Sequence, residues 1–260
     1  MILKRRVSLN GVQLDSLDER ILISGIDEGA GKESITAVSN AAGAGQRVTA
    51  MRRDTLDVTV RFTMAIKNDD MAGRSELLEK VNAWAAKGGW LRVDHRPNRR
   101  LQVMLAQAPG AGDMFAWTNE FTLTFRAYSV PYWEDETEVS VTSATAASGS
   151  MNITVPGSAE TVADVTVENR SGRTINGVVV TVGGKKMTFA SLGLGGTATL
   201  TIDHVRNNKL FYMRAKVGST SVMAKRTGAD DFRISQGLNA IAFSADRAVR
   251  VTVKVRGRYL

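Results

Sequence analysis

The chain has 260 residues, 43% of them hydrophobic and 23% charged, and no cysteine. That length is long for one core and comfortable for two, and the missing cysteine excludes disulfides, thiolate nucleophiles and cysteine-ligated zinc together. No apolar run approaches the ~18 residues that span a bilayer, and the opening MILKRRVSLNG puts charge behind a very short apolar start, unlike a secretory signal, so the protein is expected to stay where it is made.

The net charge is +8, which invites a nucleic-acid reading. Its distribution argues against one. Up to Trp133 there are 18 basic against 15 acidic residues, and from Glu134 onward 16 against 11, with no basic run longer than three. A phosphate-tracking protein concentrates its Lys and Arg with aromatics between them. Here the excess reads as solvated surface.

In chain order, residues 2–9, 20–26, 34–38 and 46–51 read as short strands separated by Gly and polar turns. Residues 56–66 form the longest clean alternation, with Leu56, Val58, Val60, Phe62 and Met64 on one face. Between two of these pieces, residues 39–46 are too small and permissive to pack tightly. Gly43, Ala44 and Gly45 are read as the tip of a flexible projection that orders on a partner. One helix is predicted over residues 71–87: Leu77, Leu78, Val81, Trp84 and Ala85 recur at three-to-four spacing, Asp69 and Asp70 precede it as caps, and Gly88-Gly89 ends it. Strands follow at 90–93 and 101–105, then a loop at 108–113.

The next strand ends the first unit. Phe121, Leu123 and Phe125 alternate with Thr122, Thr124 and Arg126 until Pro131, which has no amide hydrogen for a ladder and holds Val130 extended. Pro131, Tyr132 and Trp133 are expected to pack as a hinge, and the acidic residues Glu134, Asp135, Glu136 and Glu138 to be a solvated strip or one that faces arginines of a neighbouring copy. Domains are expected at 1–136, a β-rich α+β unit with one helix, and at 137–260.

The second unit has no helical period. Its short alternating segments, among them 151–155, 163–167, 177–182, 198–202 and 248–256, are bounded by Gly, Asn, Asp or Ser and read as an antiparallel sandwich. In the last of them Val249, Val251, Val253 and Val255 face the core, and Arg250, Lys254 and Arg256 form an outward basic row. That row is read as blunting an exposed edge.

Four quoted stretches carry a family resemblance: SELLEKVNAWAAKGG (75–89), LRVDHRPNRRLQV (91–103), FTLTFRAYSVPYWEDE (121–136) and ISQGLNAIAFSADRAVRVTVKVRGRYL (234–260). Their order along nearly the whole chain resembles the distal tail protein (Dit) family of siphophages. The resemblance implies a mainly β protein whose N-terminal domain forms a ring of six copies at the tip of the tail, with a galectin-like sandwich as its C-terminal domain. It implies as partners further copies of the chain, the tail tube, the tape measure and the tail-tip proteins that carry host recognition, and it implies a place in the virion.

Candidate chemistry is sparse. Residues 29–34, GAGKES, approach a phosphate-binding loop, but Glu33 stands where Ser or Thr must follow the lysine, and Ile26 where a glycine is needed. Asp94-His95 and Asp203-His204 have the composition of a base with its orienter, yet each lies next to a turn and is read as surface. The acidic run after Trp133 lacks the Asp/Asn-Gly signature of a calcium loop. No catalytic residue, cofactor site or metal set is assigned, and neither nucleic acid nor a membrane is expected as a partner. The reading is a structural ring protein rather than an enzyme. The alternative is a carbohydrate-binding sandwich using Phe211 or Tyr212, with DNA binding through the basic row a third possibility.

Overall fold

The computed structural model describes residues 6–29, 31–39, 46–67, 70–109, 120–207 and 209–260. The chain divides into two compact units, Met1–Trp133 with Asn207–Lys209, and Glu134–Arg206 with Leu210–Leu260.

The first unit contains β1 (Val7–Leu9), β2 (Val12–Gln13), β3 (Ile21–Glu28), β4 (Lys32–Ser39), β5 (Gln46–Met64), α1 (Met71–Ala85), β6 (Gly89–Val93), β7 (Arg99–Gln107) and β8 (Glu120–Ala127). Its sheet runs β2-β1-β6-β7-β8-β5-β3, antiparallel throughout, with β4 beside β5. The predicted alternation is what builds the core. Leu56, Val58, Val60, Phe62 and Met64 are buried, and so are Phe121, Leu123 and Phe125 on the adjacent strand. Phe62 stacks on Phe121 at 5.7 Å, and Trp84 of α1 meets Phe125 edge-on at 5.8 Å, which fixes the helix against the sheet.

The helix starts where Asp70 accepts a hydrogen bond from the Gly73 amide at 2.8 Å; Asp69 lies outside the described residues. Its end is held by a residue from elsewhere in the sequence. Asn10 donates through Nδ2 to the Gly88 carbonyl at 2.7 Å and accepts the Trp90 amide at 2.9 Å. A Cβ on Gly89 would lie 2.1 Å from that Asn10 oxygen, so the position requires glycine as well as its positive φ.

Two expectations for this unit need revision. The segments expected at 46–51 and 56–66 are one strand of 19 residues, β5, because the Arg52-Arg53-Asp54 polar run keeps its pairing with β4 and does not turn. In addition, β3 and β4 lie consecutively on the same side of β5, opposite 64–58 and then 55–46. The three elements therefore form one long antiparallel hairpin.

The second unit begins at the boundary between Trp133 and Glu134, inside β9 (Trp133–Asp135), and continues with β10 (Val139–Thr142), β11 (Ala146–Val155), β12 (Thr161–Asn169), β13 (Val178–Val182), β14 (Lys185–Phe189), β15 (Thr199–Arg206), β16 (Phe211–Val217), β17 (Thr220–Ser221), β18 (Arg226–Gly228), β19 (Arg233–Ile234), β20 (Gly237–Val255) and β21 (Arg258–Tyr259). The antiparallel order is β17-β16-β15-β12-β20-β13-β14-β18, with β10 and β11 on β20 and β19 on β12. Strand β20 pairs through 249–255 with β12 and through 241–245 with β13, so a single strand passes from one sheet to the other and ties the sandwich together. Between the sheets lies one continuous core that includes Val165, Val167, Val180, Phe189, Ile202, Val251 and Val253.

The face assignment of 249–255 holds, with the four valines buried, but the edge reading is wrong. β12 flanks that segment on one side and β10 on the other. Its basic side chains face outward from the middle of a sheet, where Lys254 meets Glu138 at 3.7 Å. Alternation reports the buried face and carries no information about neighbouring strands.

Candidate functional site

The arrangement that stands out is the end of the long hairpin. β8 accompanies β5 only along 56–63. Beyond it, 46–55 pairs with β4 alone, so two strands continue past the sheet for roughly 30 Å at ~3.3 Å per residue. The described side chains of this arm are nearly all exposed, including Ile35 (58%), Val38 (56%) and Val48 (57%). A two-stranded ribbon is marginally stable by itself, and both of its edges offer unpaired backbone groups to another chain. Irregular register between Lys32 and Glu33 and between Thr36 and Ala37 twists it locally. Gly43, Ala44 and Gly45, expected as a flexible projection, lie outside the described residues.

At the root of the arm a cleft of about 370 Å³ is lined by Gly29, Lys32, Asp54, Thr55, Asp57 and Arg126. Its carboxylates are already engaged. Asp57 takes both arms of Arg126 at 2.6 and 2.7 Å, and this pairing pushes the guanidinium pKa upward. Asp54 takes Arg52 at 2.8 Å. Lys32 and Ser34, the end of the phosphate-loop-like run, belong to the extended strand β4 and not to a helix N-terminus.

Pro131, Tyr132 and Trp133 belong to the first unit. Trp133 is fully buried, donates from Nε1 to Glu28 at 3.0 Å and lies under the Arg96 guanidinium at 5.7 Å. Tyr132 has Arg53 over its ring at 5.6 Å, and Pro131 is buried. Glu28 also accepts from Arg96 Nη2 at 2.8 Å and lies 2.5 Å from His95 Nε2. Burial pushes the Glu28 carboxyl up, but the hydrogen bonds from Arg96 and His95 outweigh it and hold the group below its ordinary value. Nothing local in the sequence marks Glu28, whose partners lie 67 or more residues away.

The acidic strip after Trp133 departs from expectation. Glu134 is 1% exposed and accepts from Arg258 Nε at 3.0 Å. Asp135 accepts from the Tyr259 hydroxyl at 3.0 Å, and Glu138 from Arg256 Nη2 at 2.9 Å; Arg256 also donates to the Glu136 carbonyl. Glu134 is therefore no part of a solvated strip, whereas Asp135, Glu136 and Glu138 keep exposure, with Asp135 and Glu138 also bonded to the chain's own last residues. Desolvating a carboxylate is tolerable only with such a partner.

The histidines separate in the same way. His95 is half exposed, as expected. His204 is not a surface residue: its ring is buried, stacks on Phe211 at 5.4 Å and places Nδ1 2.8 Å from Asp164. Neighbouring Asp203 instead pairs with Arg214, whose hydrogen bond holds its carboxyl below the ordinary value. Phe211 is thus occupied from one side by His204, and Arg258 lies over its ring at 5.1 Å, while Tyr212 points outward and is half exposed. Among the described residues, no group of three or more His, Asp or Glu side chains is placed to hold a metal, and no helix is long and apolar enough to cross a membrane.

These features define a class: a mainly β, two-unit protein with one α-helix among the described residues, an antiparallel sandwich and a protruding ribbon. No family model and no curated protein matches the chain. Solved structures do. The SPP1 Dit (gp 19.1) protein, described as a paradigm of the hub adsorption apparatus in phages that infect Gram-positive bacteria, superposes with a TM-score of 0.69 over 98% of this chain and 99% of its own, at 14% identity. Chains of the phage P2 baseplate in its activated conformation match with TM-scores of 0.48 with calcium and 0.45 with strontium, each at 8% identity, covering 98% and 97% of both chains. The fold is that of a phage Dit hub protein in both of its units.

Proposed function

We propose that the chain is a structural component of a phage tail tip, a hub that assembles as a ring and joins the tail tube to the apparatus that recognises the host. The carrying observation is that the likeness to a Dit hub runs end to end through both units, with no large insertion in which a separate activity would reside. The exposed two-stranded arm fits this reading, since a ribbon with bare edges and apolar side chains gains stability by contact with another chain.

On this reading the partners are further copies of the chain in a hexameric ring, the tail tube, the tape measure and the tail-tip proteins, and the location is the virion. The chain acts through its interfaces and carries out no reaction. The Pro131, Tyr132 and Trp133 cluster is the packed hinge segment at the end of the first domain. Light scattering and negative-stain electron microscopy of the purified chain, alone and with its tail partners, test this. Closed rings are expected, and a chain that remains monomeric in every such mixture overturns the assignment.

A further inference from the structure

Two margins of the sandwich are blunted. β16 carries Arg214 and Lys216, and β17 lies beside its last two residues. β14 opens on Lys185 and Lys186 and is followed along 187–189 by β18. Charge on an edge and a short covering strand are devices that keep such margins from pairing with other chains.

β11 is built differently. Its residues 148–155 pair with 244–237 of β20, and among the described residues no strand pairs with its far side. An antiparallel strand turns the N–H and C=O of every second residue away from its partner, so this margin presents a row of backbone donors and acceptors without a ladder partner. From Val139 to Val155 the sequence has no charged residue, no proline and no aromatic ring. Ser148, Ser150, Asn152 and Thr154 are exposed, and so are Ser244, Ala242, Ala240 and Leu238 opposite them on β20. Leu238, at 73%, is the most exposed large hydrophobic side chain among the described residues.

We infer that the free margin of β11 receives an extended, uncharged segment of a different protein as an added strand. This goes beyond the ring reading and does not depend on it. The chemistry of the margin selects the occupant. It holds no cation for a phosphate and no ring to stack on a sugar, and what it repeats is the alternation of donors and acceptors that another strand completes. The charge match is one of neutral surfaces: an ionised side chain laid beside Ser150, Asn152 and Ala242 loses water and meets no counter-charge. Threonine and valine on the incoming strand suit these flat neighbours, and Leu238 gives it one apolar side chain to cover at the Thr154 end. A second copy is the poorer fit, because Ala146, Ala147 and Gly149 would bring low strand propensity to both sides of the pairing.

Fluorescence anisotropy with the full-length chain tests the docking. The probe is a short peptide alternating Thr and Val, kept soluble by a polyethylene glycol tail. A second peptide has Glu in place of each Thr, and a third is the first with its backbone amides N-methylated. The parent is expected to bind the neutral probe saturably and the other two far more weakly. In the S150K/N152K variant both replaced side chains are exposed, so its thermal unfolding should match the parent. It is expected to bind the Glu peptide about fivefold or more tighter than the parent does, a gain that damaged folding does not produce. Hydrogen exchange of the parent with the neutral probe should slow alternate amides of 146–155 and leave 211–217 unchanged.

A parent that fails to bind the neutral probe, or binds the N-methylated peptide equally well, overturns the inference. So does protection that appears on β14 or β16 in place of β11, or a variant that treats both probes as the parent does. A parent that self-associates without any probe and is made monomeric by S150K/N152K carries a second copy on this margin, which refutes the foreign strand.

Discussion

Glu28 is the side chain on which the packing of Trp133 turns. It meets donors from Arg96 and Trp133 together with the His95 ring, and an amide in its place keeps one acceptor oxygen but turns the other into an N–H group facing these donors. E28Q is expected to cost about 1–3 kcal/mol in chemical unfolding at neutral pH. Because the folded-state pKa of Glu28 lies below its ordinary value, its contribution is complete above the unfolded-state pKa and disappears as pH falls through the folded one. Parent and variant should therefore converge in stability as the solution is acidified below the ordinary carboxylate range, and a difference that widens on acidification would contradict this. Trp133 itself is legible in the sequence as an aromatic at a chain exit. Glu28 is not, because hydrogen bonding across 105 residues leaves no periodic trace. The same holds for Glu134 and Arg258, where an acidic run that looks hydrated is paired in the interior. G257A probes the neighbouring Asp135 instead: a new Cβ would sit 2.4 Å from an Asp135 oxygen and 2.9 Å from the Pro156 carbonyl. The expected result is a destabilisation of about 1–3 kcal/mol, measured by urea unfolding of the full chain.

Strand β5 has two halves with different duties. Residues 56–63 lie between β3 and β8 with every second side chain buried, whereas 46–55 pairs with β4 only. Shortening the hairpin by removing residues 34–52 and joining Glu33 to Arg53 through an Asn-Gly turn should leave the monomer's unfolding free energy within about 1 kcal/mol of the parent, since little apolar area is lost from the core. The same deletion should abolish assembly. A large loss of monomer stability would mean that the arm belongs to the core after all. Elements with a buried face were readable: the alternation of 56–64, the stripe of α1 and the valines of 249–255 all reappear as core. Which strands lie at an edge was not readable, and the basic row on β20 shows why. Outward charge is equally compatible with a sheet centre and a sheet margin, and only long-range pairing distinguishes them.

For the molecule as a whole, order of elements carried more information than any motif. Two β-rich units with one helix between strands define the Dit hub fold at only 14% identity, a level at which residue-by-residue matching has little left to compare. The arm was partly visible, as a small-residue stretch between strands, but its length was not, since the polar run at 52–54 reads locally as a break. If the ring reading holds, assembly should weaken as ionic strength rises, because screening shortens the reach of exposed charges from ~10 Å at 0.1 M salt to ~3 Å at 1 M. Sedimentation velocity across that range checks it, and an assembly indifferent to salt would point to purely apolar contacts.

The late position of β20 has a consequence for synthesis. Every strand of the sandwich from β10 to β19 leaves the ribosome before the one that ties the two sheets together, whereas strands β1 to β8 of the first unit are complete by Ala127. The nascent second unit must wait with its valine-rich faces uncovered until Gly237 and the residues after it emerge. Chaperone demand during translation should accordingly peak in that interval, after the first unit has already closed.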